Sequence, residues 1–177
     1  MNSLKHVSMK QALLGLSLAV ALSASNVWAG SPPSAIHHVQ GGGIALFDAD
    51  VPFDSDLEDR DGSAFAFNVM IGDDGSVKGD CQYVMAGRTD FDGLGPQVMH
   101  NPVTAASMNA DGSVTLTSEG SLRTWKGQVF YVKMIVTVTA GGAGVGTIQV
   151  AFTIPDYGLF DAPFPVQTLA SGQIKIN

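Results

Sequence analysis

The fold is decided by the stretch from Gln128 to Ile154, which reads QVFYVKMIVTVT-AGGAGVG-TIQVAFTI. Two runs rich in Val, Ile, Thr and aromatic residues flank a loop that contains four glycines. β-Branched and aromatic side chains fit a pleated, half-buried surface, and glycine adopts the backbone angles that tight reversals need. The stretch therefore predicts a long antiparallel hairpin at the centre of an all-β domain.

The two faces of the first strand in this hairpin differ in composition. Alternate residues of a strand point to opposite sides, and one side carries only apolar residues: Phe130, Val132, Met134, Val136 and Val138. The other side carries Tyr131, Lys133, Thr137 and Thr139. The apolar side is predicted to face the core. If the polar row lines a cavity, Tyr131 and Lys133 are candidate ligand-binding residues, and otherwise the row faces solvent.

Turn signals divide the rest of the chain into further short strands. The tetrapeptide Asp-Gly-Ser-Val, which starts at Asp74 and again at Asp111, predicts two hairpin turns. Residues 41–43 (Gly-Gly-Gly) are expected to interrupt a first strand, residues 87–102 to form an irregular loop, and residues 119–127 a polar link. A last strand is expected to bulge near Gly172. We predict an all-β single domain of about eight strands, an antiparallel β-sandwich or a small β-barrel.

The first 29 residues have the features of a signal peptide. Lys5 and Lys10 precede an apolar run of 11 residues from Ala12 to Leu22, and a membrane-spanning helix needs roughly 20. Small residues before Gly30 predict cleavage after Ala29. We therefore expect a signal peptide at 1–29, a flexible tail at 30–34 and the all-β domain at 35–177, located in the periplasm or secreted, with no membrane span in the mature form.

The charge of the mature chain argues against nucleic-acid partners. Removal of Lys5 and Lys10 leaves seven basic and sixteen acidic residues, a net charge of −9. Such a domain repels phosphate backbones and anionic membrane surfaces. Cys81 is the only cysteine, and its position on the apolar side of a predicted strand favours a small buried hydrophobe over a reactive thiol.

An acidic segment is the candidate metal site. Hard cations such as Ca²⁺ take several carboxylate oxygens, and four aspartates are candidate calcium ligands: Asp54, Asp56, Asp59 and Asp61. An EF-hand frame does not fit, because it would place Leu57 at position 1 of the loop and Asn68 at position 12. A looser calcium site and a solvated acidic loop stay open as alternatives. No other cofactor is expected.

Catalytic signals are sparse. The segment that contains His100 also contains Asp90 and Asp92, and a carboxylate beside a histidine is the arrangement of a general base and the group that orients it. These three residues are the catalytic candidates, and an ordinary polar loop is the alternative. The glycine loop at 141–146 is followed by strand residues, whereas a phosphate cradle needs a helix there.

Several glycine-centred motifs extend over most of the mature chain. They are Gly41-Gly-Gly43-Ile, Phe65-x-Phe67, Gly75 with Gly79, Tyr83, His100-x-x-Val103, Gly127-x-x-Phe130, the glycine loop, and Ala170-Ser-Gly-Gln-Ile-Lys-Ile176. With these motifs the chain resembles the secreted bacterial post-COAP-1 domain, although Ile44 stands where that family usually has tryptophan. The resemblance implies export and an all-β fold, and it implies no established reaction.

Three functions are compatible with these observations. The leading hypothesis is an exported, non-enzymatic β domain with a binding, accessory or structural role. The second is a β-barrel that binds or converts a small ligand in a polar lumen. The third is a surface domain stabilised by calcium.

The predicted cleavage site can be tested on the exported protein. Intact-mass analysis is expected to give a mature chain that begins at Gly30. Ala29→Arg is expected to block cleavage, because signal peptidase requires a small residue at that position. An exported wild-type chain that retains its first 29 residues would contradict the prediction.

Overall fold

A computed structural model describes residues 35–47, 62–85, 97–124, 126–155 and 163–177. These residues form nine β-strands: β1 (Ala35–Phe47), β2 (Gly62–Gly72), β3 (Val77–Met85), β4 (Gln97–Met108), β5 (Val114–Thr124), β6 (Val129–Thr139), β7 (Gly141–Gly142), β8 (Thr147–Thr153) and β9 (Gln167–Ile176). No helix in this part of the chain has the length and apolarity to cross a membrane. The predicted all-β, antiparallel fold is confirmed.

The strands form one antiparallel sheet that closes on itself. Its order is β1–β2–β3–β4–β5–β6–β8–β9, and β9 pairs with β1 to complete a ring of eight strands. The predicted hairpin from Gln128 to Ile154 is present as β6 and β8, with Val136 opposite Val150. The glycine loop between them contains β7, which pairs with β9.

Strand β1 closes the ring and runs straight through its three glycines. The expected interruption at residues 41–43 was wrong, because Gly41 pairs with Phe67 of β2 on one side and with Ile174 of β9 on the other. A Cβ at Gly41 would lie 2.7 Å from Cζ of Phe67. The missing side chains therefore allow the strand to pass close to bulky neighbours on both sides, and do not break it.

Three hairpin turns follow one hydrogen-bond pattern. At the two predicted turns, Gly75 N–H donates to Gly72 O and Gly112 N–H donates to Asn109 O. Asp74 and Asp111 accept the backbone N–H of the serine two residues later, at 2.8 and 3.0 Å. The same backbone pattern recurs at Gly127, whose N–H donates to Thr124 O. A glycine with a positive φ at the end of such a turn lets the backbone follow the twist of the two strands that the turn joins.

Two segments expected to be irregular are strands. The predicted polar link at residues 119–127 is mostly the second half of β5. Here Glu119, Ser121 and Arg123 face outward, and the alternate residues Leu122 and Thr124 are buried. The end of the predicted loop, from Gln97 to Pro102, belongs to β4. In both places cross-strand pairing outweighed a locally polar composition. The register of β9 against β1 shifts between Ser171 and Leu169, close to the predicted bulge.

The interior of the ring is filled largely by apolar side chains. Alternate residues of every strand in the ring point inward, and the largest of the fully buried side chains include Tyr83, Phe152, Met85, Met99 and Leu116. The rings of Phe152 and Phe164 meet edge to face with centroids 5.2 Å apart. At about 25 cal/mol per Å² of apolar surface removed from water, this core is the main force that holds the ring closed.

The closure of the ring predicts a difference between two glycines. Gly172 has a φ of +94°, and a Cβ there would collide with the carbonyl oxygen of Gly42 in β1. Gly75 has a φ of +77° but open space around the same position. In urea unfolding, Gly75→Ala is expected to cost about 1 kcal/mol, from left-handed strain alone.

Gly172→Ala is expected to cost about 3 kcal/mol or more, because steric overpacking is added to the same strain. Equal losses in the two variants would mean that the approach of β9 to β1 does not limit stability.

Candidate functional site

One end of the ring contains a layer of buried polar side chains. It consists of Ser63, Tyr83, Gln97, Thr124 and Gln167, and none of them is more than 3% exposed. Ser63 lies near the start of β2, while Gln97 and Gln167 are the first residues of β4 and β9. The register passes from Ser63 through Met85 to Gln97 and on to Thr124. We call this group the polar layer.

Three members of the polar layer satisfy one another. The Ser63 hydroxyl lies 2.5 Å from the Tyr83 hydroxyl. The Gln167 amide nitrogen Nε2 donates to Ser63 Oγ at 3.0 Å and lies 3.2 Å from the Tyr83 oxygen. Burial raises the pKa of Tyr83 to about 12, although the hydrogen bonds from Ser63 and Gln167 act in the opposite direction. The phenol is therefore neutral at physiological pH and serves as a hydrogen-bonding group.

Gln97 is the exception in this layer. Its side chain is completely buried, and neither Nε2 nor Oε1 has a hydrogen-bond partner among the residues that the structure describes. Its cross-strand neighbours do not supply one, since Met85 is apolar and Thr124 Oγ1 accepts the Gln128 backbone N–H at 3.2 Å. A buried polar group without a partner typically costs about 1–3 kcal/mol.

A second polar group lies where the pairing of β4 with β5 is interrupted. Register pairs stop at Met99 with Leu122 and resume at Val103 with Ser118. Between them the side chain of Asn101 crosses to β5, and its Oδ1 accepts the Ser121 backbone N–H at 2.8 Å. A Cβ at Gly120 would collide with this side chain. Asn101 Nδ2 and the Ser118 hydroxyl are buried and have no hydrogen-bond partner in the described part of the chain.

The residues singled out from the sequence lie elsewhere. Tyr131 and Lys133 are on the outer face of β6, each about half exposed. Tyr131 OH donates to Glu119 Oε2 at 2.9 Å, and Lys133 Nζ lies 3.8 Å from Glu119 Oε1. His100 is also exposed, on β4. The polar row of β6 thus faces away from the interior.

The remaining sequence candidates cannot be placed. Asp90 and Asp92 lie outside the described residues, as do the four calcium candidates, Asp54, Asp56, Asp59 and Asp61. Within the described ranges, no group of three or more His, Cys, Asp or Glu side chains could hold a metal ion. The His38 ring nitrogen Nε2 is 2.6 Å from Asn68 Oδ1.

Cys81 occupies the place that the strand pattern predicts. Its thiol is free and buried on the inner face of β3, which confirms the prediction of a small buried hydrophobe. Burial raises the pKa of the thiol to about 12, and the nearby Asp80 adds to the effect. The thiolate is the nucleophilic form of cysteine, and both the burial and the raised pKa of Cys81 disfavour it at neutral pH.

Several large apolar side chains are exposed on the outer faces of β4 and β6. Val98, Val129, Tyr131 and Ile135 are between 39% and 56% exposed. Arg123 of β5 lies between Val98 of β4 and Val129 of β6 in the register, and its side chain is also exposed. We call these five residues the Tyr131 face. Large exposed apolar side chains in one region of a surface are typical of interaction surfaces.

Sequence reasoning missed the polar layer, although part of a signal was present. Gln167 lies two residues before Leu169, and Gln97 two before Met99, so each shares the inward side of its strand. Gln97 falls within the predicted irregular loop at residues 87–102, whereas Gln167 falls within a predicted strand and only its polarity conceals its inward position. That they meet Ser63 and Tyr83 depends on the closure of the ring.

Comparisons with protein-family models, with curated proteins and with solved structures found no match for this chain. The geometry of the described residues is therefore the basis for assigning a function.

The two buried ionisable groups predict a loss of stability at alkaline pH. The pKa values of Tyr83 and Cys81 are raised in the folded state to about 12 from ordinary values of 10.0 and 9.0. Above pH 9 the unfolded chain can release these protons while the folded chain retains them, so the free energy of unfolding falls. The contribution of the two groups to stability is therefore complete below pH 9 and is lost as the pH rises towards 12. Urea midpoints measured from pH 8 to pH 11.5 are expected to fall over this interval.

Tyr83→Phe separates the contribution of the phenol. It is expected to cost about 1–3 kcal/mol at pH 8, because Ser63 and Gln167 lose a partner, and to show a shallower alkaline decline than the wild type. Tyr131→Phe is the control, since that hydroxyl is on the surface. An identical decline in wild type and Tyr83→Phe would contradict the assignment.

Proposed function

We propose that this chain is an exported, non-enzymatic domain that binds another macromolecule through the Tyr131 face. The observation that carries the proposal is the exposure of Val98 on β4 and of Val129, Tyr131 and Ile135 on β6, with Arg123 of the intervening strand β5 between Val98 and Val129. A closed ring presents a firm outer surface, and tyrosine is enriched where protein interfaces form. A rigid face of this kind binds with little loss of conformational freedom.

The charges on the Tyr131 face indicate the kind of partner. Arg123 stands between Val98 and Val129, whereas Lys133 has Glu119 as an ionic neighbour. A guanidinium surrounded by apolar side chains suits a carboxylate, because the two groups form paired hydrogen bonds. The partner that fits is a protein surface with apolar side chains around an acidic residue.

The chemistry of the described interior supports a non-catalytic role. Catalytic acids and nucleophiles need pKa values close to the working pH, whereas the pKa values of Cys81 and Tyr83 are raised far above neutrality. The catalytic candidate His100 lies on the outer face, so it is not directed at the interior.

Export and family membership belong to the same proposal. The signal peptide at 1–29 lies outside the described residues, and a periplasmic or secreted location follows from the sequence pattern alone. The resemblance to the post-COAP-1 domain agrees with an exported all-β domain. The negative charge of the chain favours a protein partner over nucleic acid.

A ligand-binding interior is the second candidate function, and the buried polar side chains at one end of the ring favour it. Conversion of a ligand has less support, since the ionisable groups on the inner face are held neutral. The calcium-stabilised alternative depends on aspartates outside the described residues and stays a prediction.

Site-specific photo-crosslinking can test the binding face in the exporting cell. A photoreactive phenylalanine analogue at position 131 is expected to give one discrete crosslinked species, because Tyr131 lies at the centre of the proposed contact. The same analogue at Lys175, an exposed position on β9, is the control.

A charge reversal provides the second comparison. Arg123→Glu is expected to reduce the crosslink from position 131 at least about tenfold, the loss that about 1.4 kcal/mol of binding free energy produces. The proposal fails if positions 131 and 175 give the same products, or if Arg123→Glu has no effect on a chain that folds normally.

A further inference from the structure

We propose that the partner of the Tyr131 face is a second copy of this chain, which binds through the same face to form a two-fold symmetric dimer. The proposal rests on the proposed function, because it takes the face as a binding surface, and it specifies what binds there. It is carried by the order of the charges along β5 and by their position relative to Tyr131.

Two opposite charges lie on the outer side of β5, one on each side of Tyr131. Tyr131 of β6 pairs with Ser121 in the register, and Arg123 and Glu119 each stand two residues from Ser121. Arg123 is exposed, and the side chain of Glu119 is 39% exposed. Four residues along a strand span about 13 Å. Arg123 and Glu119 are therefore too far apart to form an ion pair within one copy.

A two-fold axis at this place pairs the two charges between copies. The axis lies in the plane between the facing copies and crosses the strands at Ser121 and Tyr131, so that β5 runs antiparallel to the β5 strand of the other copy. Arg123 then lies opposite the partner's Glu119, and Glu119 lies opposite the partner's Arg123. One contact thus occurs twice, as two-fold symmetry requires. Tyr131 packs against the partner's Tyr131, a favourable pairing for aromatic side chains.

Glu119 supplies the chemistry that Arg123 requires of a partner. A guanidinium binds a carboxylate through two parallel N–H bonds. Glu119 Oε2 accepts the Tyr131 hydroxyl at 2.9 Å, and Oε1 lies 3.8 Å from Lys133 Nζ. These contacts hold the carboxylate beside Tyr131, and each oxygen retains the capacity to accept a further hydrogen bond. The face itself therefore presents an acidic residue among exposed apolar side chains, which is the surface that Arg123 fits.

The size of the face determines how strongly two copies can bind. It extends over three strands, from β4 to β6, and the outermost of these are about 10 Å apart. An interface of this width is smaller than that of a stable dimer, and the net negative charge of each copy opposes association. We therefore expect a weak dimer that forms reversibly, in which the ion pairs between copies provide specificity.

The test is sedimentation velocity of the purified mature chain over a range of concentrations, with charge reversals at the two positions. The wild type is expected to form a dimer as its concentration rises. Arg123→Glu and Glu119→Arg are each expected to weaken association at least about tenfold, because each places like charges opposite one another in both contacts. Lys175→Glu reverses an exposed charge on β9 and is the control, which is expected to behave as the wild type.

A mixture of the two variants gives the sharpest comparison. When one copy carries Arg123→Glu and the other carries Glu119→Arg, both contacts of the dimer again join opposite charges. An equimolar mixture is therefore expected to associate about as strongly as the wild type, although neither variant does so alone. Binding of a different protein through this face would give no such recovery.

Three results would overturn the dimer. They are a wild-type chain that stays monomeric up to the limit of its solubility, an Arg123→Glu dimer as strong as that of the wild type, and a mixture as weak as its components. Circular dichroism checks that each variant is folded, and the wild-type measurement needs no variant.

Photo-crosslinking from position 131 in the exporting cell separates this failure from that of the proposed function. A product with twice the mass of the chain supports both proposals. A product that contains only a different protein supports the binding face and overturns the dimer. The same products from positions 131 and 175 overturn both.

Discussion

The structure depends on the pairing of β1 with two neighbours at once. β2 binds one edge of this strand and β9 the other, so the hydrogen bonds of β1 convert a curved sheet into a ring. Gly41 and Gly43 allow this, because a side chain at Gly41 would collide with Phe67 of β2 and one at Gly43 with the backbone of β9. Closure removes exposed strand edges, which otherwise invite pairing with other chains.

Closure also determines what the interior can contain. Alternate residues of all eight strands converge on one space, and most of them are apolar. The polar exceptions are concentrated at the end of the ring where β2, β4 and β9 begin. There the trio of Ser63, Tyr83 and Gln167 is satisfied by its own hydrogen bonds, whereas Gln97 has no hydrogen-bond partner among the described residues.

The outside of the ring offers a different kind of surface. The face around Tyr131 combines exposed apolar side chains with Arg123, and its ionic pair between Lys133 and Glu119 is solvent-exposed. Exposed pairs of this kind contribute little to stability. The inner and outer surfaces of the same strands therefore differ in chemistry. Successive residues of β4 belong to different surfaces, since Gln97 faces the interior and Val98 faces outward.

The sequence by itself determined the strands that have strong alternation and clear turns. The hairpin of β6 and β8, the two Asp-Gly turns and the buried position of Cys81 all follow from local composition, because periodicity and turn chemistry act over a few residues. Tertiary structure decided the rest. Residues 41–43 look like a break until β2 and β9 flank them, and residues 119–124 look like a linker until β4 and β6 pair with them. The polar layer joins residues as distant as Ser63 and Gln167, and no local pattern encodes such a contact. Only closure of the ring brings these groups together and removes Gln97 from water.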